Sequence, residues 1–486
     1  MSLALYNTLT RQKTPLEPIQ AGQVSMYCCG VTVYDDCHLG HARSYMAWDV
    51  LRRYLQWQGY EVRYLQNFTD IDDKILNRAQ KEGSTMQAVS DRYIDAYFRD
   101  IRRLNILDAN EYPRVTEHIP AILEFIQALV DKDYAYAAEG DVYYSVRQFA
   151  EYGRLSKREL SDMQAGAGGR VDAPAQNQKR DPFDFALWKA AKPDEPAWES
   201  PWGEGRPGWH IECSAMIRER LGETIDIHGG GGDLVFPHHE NEVAQSEALN
   251  GKPLARHWLH NGMVTVGGEK MSKSLGNFTT IQALLDGQWP LYPQPVKPMA
   301  IRLFVLQAHY RKPLDFTARA IAAAEKGWQT LRTALTAKLP IVSDAVDQLD
   351  TEAVERFQSA MDDDLNTAAA LAVLFELAKS IQRAVNVRQH QAQEQNQAKE
   401  SLSDQQLHTA QQTLLQLADV LGLEADVEPT AMSENIDITW IEDLINQRQV
   451  ARQEKNYAES DRLRNELQTA GITVVDLPNG QTEWYR

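Results

Sequence analysis

The chain has 486 residues, with 43% hydrophobic and 24% charged residues and a formal net charge of −18. That length exceeds one compact domain, and the composition is that of a globular chain rather than a disordered one. The charge excludes a generally basic nucleic-acid coat but leaves local basic surfaces open. No apolar run reaches the eighteen or so residues that span a bilayer, and Met1–Thr10 lacks the basic-then-apolar pattern of a secretory signal, so a cytoplasmic location with no membrane partner is expected. Four cysteines, two of them adjacent at Cys28 and Cys29, do not make a disulfide framework.

Gln23 to Tyr27 alternates as a short strand, and Ala42 to Gln58 carries Tyr45, Val50, Leu51, Tyr54 and Leu55 at helical spacing. Between them, His38-Leu39-Gly40-His41 falls where strand passes to helix. The first turn of a helix offers free N–H groups and positive potential to an anion, and Gly40 lets a phosphate approach the backbone. Glu61 to Leu65 predicts a second strand, so the unit reads as βαβ in a parallel sheet with its ligand at the strand carboxyl ends. The segment Asn67 to Lys74 that follows is polar and acidic, fitting either a capped helix start or a site.

Helical faces follow at Tyr93, Tyr97, Ile101 and Leu104 and at Ile119, Ile122, Ile126 and Leu129, then a strand over Gly140 to Val146. Met163 to Gly208 reads as an insertion packed over the sheet. Ordered sheet is expected to return from Gly208-Trp209-His210-Ile211-Glu212-Cys213 through Thr224 to His228, the glycines 229 to 232 and Asp233. In Pro237-His238-His239-Glu240-Asn241-Glu242, His238 and Glu242 are four apart and share a helix face. With Cys213 and either Cys28 or Cys29 they supply sulfur, sulfur, nitrogen and oxygen, a set suited to Zn²⁺. After short strands around Val264 and Val266, the loop Glu269-Lys270-Met271-Ser272-Lys273-Ser274 presents two lysines three apart, able to clamp a triphosphate.

Taken together, the His38-x-Gly40-His41 and Lys270–Ser274 motifs make the chain resemble the class I aminoacyl-tRNA synthetases, and the metal set narrows this to the cysteinyl-tRNA synthetase family. The match runs from about Tyr6 to Trp484. The resemblance implies a ligase that activates L-cysteine with ATP and Mg²⁺ and transfers it to the 3′ end of tRNA(Cys), with one zinc per chain selecting the thiolate. It assigns the metal to Cys29 (rather than Cys28), Cys213, His238 and Glu242. His38, Gly40, His41, Lys270 and Lys273 would bind ATP, His38, His41, Lys270 and Lys273 being the catalytic set. Thr69 and Trp209 would shape the amino-acid pocket, with Gly231 and Asp233 near the adenosine. A monomer is the family's expectation.

The implied fold is α/β. A Rossmann-like catalytic domain (1–120 and 208–262) is split by a connective insertion (121–207). It is followed by the lysine loop and stem-contact region (263–316), a tRNA-binding helical bundle (317–428) and a small α+β anticodon-binding domain (429–486). Bundle helices are expected around Ile321, Ala324, Trp328, Leu331 and Leu335 and around Leu371, Leu374, Ala378 and Ile381, joined past Ile301–Tyr310. Val387 to Gln412 is glutamine-rich, a very polar helix or a connector. The last residues predict a helix opening at Ile441, a second over Ala458 to Ala470, and a hairpin pairing Ile472–Val475 with Thr482–Tyr485 across Asn479-Gly480.

Departures from the family pattern are Leu39 for isoleucine, the proline-rich Leu284–Pro298, Tyr457 for tryptophan, and a single lysine at Lys74, which argues against the pyridoxal-phosphate-dependent persulfide chemistry of some relatives. A mycothiol-type cysteine ligase would lack the terminal domain, and a non-catalytic zinc-containing tRNA-binding paralogue would not need both histidines and both lysines.

Overall fold

A computed structural model describes residues 2–162, 178–193, 195–271, 277–339, 348–393, 402–425 and 438–453, with positions 456, 459–460, 462–463, 467, 473–476 and 482–485 beyond them. The chain divides into two compact units, Met1–Val427 and Glu428–Arg486.

The first unit opens with the hairpin β1 (Ala4–Asn7) and β2 (Gln12–Pro15). Its centre is built from β3 (Gln23–Thr32), α1 (Leu39–Trp57) and β4 (Glu61–Thr69), followed by α2 (Asp73–Glu82), α3 (Met86–Arg103) and α4 (Ile119–Asp131). Both strands run further than the alternation predicts, because Met26 to Cys29 and Tyr64 to Thr69 are buried at consecutive positions and so read as continuous rather than alternating. Asp72 caps α2, accepting from Lys74 N–H at 2.9 Å, so the capping reading of that acidic run holds for this residue.

The insertion forms an antiparallel sheet of β5 (Ala135–Ala138), β6 (Asp141–Tyr144), β7 (Phe185–Ala190) and β8 (Gly205–Pro207). The chain then enters α5 (Trp209–Arg220), β9 (Ile225–Gly231), α6 (Glu240–Asn250) and β10 (Ala255–Asn261). Trp209 to Cys213 is thus helical and not part of the sheet; the segment does not alternate, and Ile211 to Ile217 are buried on nearly every side. The parallel order β10-β9-β3-β4 places β3 centrally, with α1 crossing from β3 to β4.

A three-stranded sheet follows, β12-β11-β13, made from β11 (Val264–Val266), β12 (Glu269–Lys270) and, beyond α7 (Ile281–Leu285) and α8 (Pro298–Leu306), β13 (Leu314–Phe316). The apolar stretch expected to join the catalytic body to the bundle is largely α8. The bundle is α9 (Ala318–Leu335), α10 (Thr351–Asp362), α11 (Thr367–Gln393) and α12 (Asp404–Val420), and the glutamine-rich stretch contributes the end of α11 and the start of α12. Arg302 of α8 is fully buried against Asp49 of α1, which also pairs with Arg53 at 3.0 Å. Arg302 further donates to Leu421 O at 2.7 Å, tying α1 to the end of the bundle.

In the second unit α13 (Ile438–Gln453) precedes the antiparallel pair β14 (Thr473–Asp476) and β15 (Thr482–Tyr485). Most of the expected helix Ala458–Ala470, the Asn479-Gly480 turn and Tyr457 lie outside the described residues.

Candidate functional site

The carboxyl ends of parallel strands are where α/β sheets bind ligands, and here β3 reaches that edge with a register shift between Cys28 and Val31. Such a bulge re-aims side chains. Gly30 is required at it: a Cβ there would sit 1.6 Å from Asn67 O, while Gly30 N–H donates to Asn67 Oδ1 at 2.9 Å. Strand alternation also separates the two cysteines. Cys28 packs in the core shared with α1, whereas Cys29 packs with Cys213, Ile217, Val243 and Trp258.

Cys29 Sγ lies 3.7 Å from Cys213 Sγ, 3.4 Å from His238 Nε2, 3.3 Å from His239 Nε2 and 3.5 Å from Glu242 Oε1. His238 Nε2 and Glu242 Oε1 are 3.1 Å apart, although His238 precedes α6 in a distorted turn with Phe236 non-helical. Cys29, His238, His239 and Glu242 form one buried cluster of possible metal ligands, with Cys213 against it through Cys29. Burial, reinforced by neighbouring Cys213, holds the Cys29 thiol far above its ordinary range. A cation at this point would offset that cost, since a thiolate coordinating a metal is deprotonated outright.

Around the cluster, His228 Nε2 meets Glu242 Oε2 at 2.9 Å, and His239 Nδ1 meets His260 Nε2 at 2.7 Å. Trp209 stacks on His238 with ring centroids 4.1 Å apart, and Trp258 stacks on His228 at 4.4 Å. Thr69 Oγ1–H donates to buried Glu212 at 2.9 Å, one residue from Cys213 in α5. Thr69 and Trp209 therefore flank the cysteine cluster. Gly231 ends β9, and Asp233 is exposed just beyond it.

The phosphate-type loop lies at the start of the helix leaving β3. His38 is the N-cap of α1; its Nδ1 accepts from His41 N–H at 3.3 Å, and His41 Nδ1 accepts from His38 N–H at 3.4 Å. This reciprocal cap leaves Nε2 as the protonated nitrogen of each ring. The rings stack with centroids 3.7 Å apart, and a Cβ at Gly40 would press to 2.8 Å from the His38 ring. Burial lowers His38 to about 4 and His41 far below its ordinary value, so both rings are neutral N–H donors near pH 7.

Both ends of the lysine loop meet this cap. A Cβ at Gly40 would lie 3.8 Å from Met271 Cε, next to Lys270 in β12. On the far side Phe278 packs edge-on to His38 at 5.5 Å, and Ile281 N–H donates to Cys37 O at 2.8 Å. Lys273 lies outside the described residues.

Sequence reasoning missed His239, His228 and His260. His239 carried a signal, standing three residues before Glu242 on the same turn; His228 and His260 reach the cluster from β9 and β10, which no local spacing reveals. Met271 stood inside the lysine-loop motif with no role assigned to it, and Phe278 was hidden among ordinary apolar positions.

A stacked histidine cap on a parallel sheet, met by a lysine loop from a second small sheet, defines a class I aminoacyl-tRNA synthetase fold. Solved structures agree at the level of fold: methionyl-tRNA synthetase of Mycobacterium tuberculosis aligns with TM-score 0.55 and 16% identity, covering 82% of this chain and 89% of that one. A leucyl enzyme of Agrobacterium radiobacter K84, solved with tRNA, aligns with TM-score 0.55 and 12% identity over 84% and 85%. Family models match residues 15–326 (tRNA synthetases class I (C) catalytic domain), 356–425 (DALR domain) and 440–484 (cysteinyl-tRNA ligase anticodon binding domain). The cysteine–tRNA ligases of Trichormus variabilis and Synechococcus elongatus are each 60% identical to this chain over the full length of both proteins. The chain belongs to the cysteinyl-tRNA ligase family.

Proposed function

We propose that the chain charges tRNA(Cys) with L-cysteine in two steps, with a Zn²⁺ held by Cys29, Cys213, His238 and Glu242. The observation that carries this is the spacing of the donor atoms. A tetrahedral zinc with Zn–S about 2.3 Å and Zn–N or Zn–O about 2.0–2.1 Å sets its ligands about 3.8 Å (S–S), about 3.5 Å (S–N, S–O) and about 3.3 Å (N–O) apart. Four of the six separations are given by the structure, Cys29–Cys213 at 3.7 Å, Cys29–His238 at 3.4 Å, Cys29–Glu242 at 3.5 Å and His238–Glu242 at 3.1 Å, with Cys213 placed through Cys29. His239 fits less well, lying 3.9 Å from Glu242 Oε1.

When bound, the zinc would accept the substrate thiolate as a soft ligand, a far better one than serine's hydroxyl. This matters because an apolar pocket separates close isosteres only about a hundredfold. Thr69, fixed by Glu212, and Trp209, fixed on His238, would bound the amino acid. The cysteine carboxylate then attacks the α-phosphorus of Mg²⁺-ATP; the bond to the bridging oxygen breaks and pyrophosphate leaves. The Nε2–H donors of His38 and His41, with Lys270 and Lys273, would stabilise charge on the phosphates in that transition state. Gly231 and Asp233 would lie beside the adenosine. In the second step the terminal ribose hydroxyl of the tRNA takes the acyl group and AMP leaves, the tRNA being held by the bundle (317–428) and terminal domain (429–486).

The test is cysteine-dependent exchange of labelled pyrophosphate into ATP, with cysteine or serine, before and after zinc removal, then charging of a tRNA(Cys) transcript. Zinc-dependent exchange with cysteine alone, followed by charging, is expected. Exchange without charging would assign another acceptor, and no exchange by folded, zinc-loaded protein would sink the activity altogether.

A further inference from the structure

Two residues after His41, Arg43 enters α1 with its side chain 1% exposed. Its guanidinium meets no carboxylate in the described ion pairs. It instead donates to main-chain carbonyls: Met263 O at 3.0 Å, Tyr310 O at 3.1 Å, Lys312 O closer still, and His309 O at 3.5 Å. Burying a cation on neutral acceptors alone is costly, and burial lowers Arg43 to about 10.

The acceptors share a location. Met263 immediately precedes β11, and residues 309–312 precede β13, its parallel partner. The other edge of β11 pairs with β12, which holds Lys270. The two roots are also bonded to each other, Gly262 N–H to Tyr310 O at 2.8 Å and Leu314 N–H to Met263 O at 2.9 Å. One side chain therefore joins the helix that starts at His38–His41 to the base of the sheet that presents the lysine loop.

We infer that Arg43 is a positioning residue for amino-acid activation, setting the distance between the histidine cap and Lys270 from behind. The inference rests on the activity proposed above. Arg43 lies apart from the zinc ligands and touches no reacting atom, so its loss should slow the step that uses both phosphate-binding motifs and spare transfer, which does not. A misplacement of about 1 Å can cost about a hundredfold.

The experiment compares wild type, Arg43→Lys, Arg43→Met and Gly262→Ala, whose new Cβ would sit 2.4 Å from Lys312 O and disturb the same junction from the far side. Pyrophosphate exchange reports activation. Adenylate-loaded enzyme, isolated by gel filtration after long incubation and chased with tRNA, reports transfer. Zinc content and melting temperature report the fold. Expected for whichever variants fold with full zinc is a fall of about a hundredfold in kcat for exchange, with KM for cysteine and the transfer rate unchanged. Unchanged exchange in folded Arg43→Lys and Gly262→Ala, or equal losses in both half-reactions, would overturn the inference. No exchange in wild type would remove the activity reading, and this inference with it.

Discussion

The two adjacent cysteines give a sharp separation of roles. Cys29→Ser replaces a sulfur that has four other donor atoms between 3.3 and 3.7 Å away. Removing an outer partner of a metal site typically weakens binding about 10–100-fold, and loss of a thiolate ligand should exceed that. Cys28→Ser, one residue earlier, places a hydroxyl in the core shared with α1, where the side chain meets Cys29 O at a long 3.6 Å and the buried Tyr64 hydroxyl. An imperfectly paired buried hydroxyl costs about 1–3 kcal/mol. Cys28→Ser should therefore melt a few degrees lower yet keep one zinc, whereas Cys29→Ser should purify without zinc and lose cysteine-dependent exchange. Metal content by mass spectrometry, the melting curve and the exchange assay read this out. Zinc retained by Cys29→Ser and lost by Cys28→Ser would refute the alternation argument.

His228→Gln removes the ring that meets Glu242 Oε2 and should weaken zinc binding about 10–100-fold, measured by competition with a chromogenic chelator. Asp49→Ala strands Arg302 and Arg53 in the core and should cost about 3–5 kcal/mol, seen as a lower denaturant midpoint; a change under 1 kcal/mol would mean that water reaches the site. Because burial holds His38 at about 4, below the ordinary 6.5, the unfolded chain binds more protons between those values, and stability should fall as pH drops through that window. His38→Asn keeps a capping acceptor and should show a shallower fall, judged from denaturant titrations at several pH values; an identical slope would contradict the assignment.

Local periodicity carried the βαβ unit, because Val24 and Met26 alternate in β3 and the large apolar residues Tyr45, Val50, Leu51, Tyr54 and Leu55 recur at helical spacing, although α1 itself is buried on nearly every side. It failed at Trp209–Cys213, where Ile211 to Ile217 are buried on nearly every side and no helical face stands out. It also under-ran β3 and β4, where consecutive burial over Met26 to Cys29 and Tyr64 to Thr69 erases alternation. His238 and Glu242 were legible by spacing, and they converge because His239 and Glu240 between them are helical, the irregular residue Phe236 lying before both ligands. His228, His260 and Arg43 were not, because each reaches its partners across 14 to 269 positions of sequence.

One geometric consequence unites the site. β3 carries Cys29 at its bulge and leads, nine residues later, to the His38 cap. The atom that would recognise the substrate side chain and those that would face its activating phosphates are therefore set by one short backbone path, not by two independently mobile domains. That path is pinned on both sides: Asn67 of β4 receives Gly30, and Thr280 and Ile281, just past the lysine loop, bridge to His38 and Cys37. A thiolate drawn to the Cys29 end would place the amino acid's carboxylate towards the cap by its own short length. Selection at one end of the path thus becomes orientation at the other, and a ligand that fails to engage the Cys29 cluster also loses the alignment that activation needs.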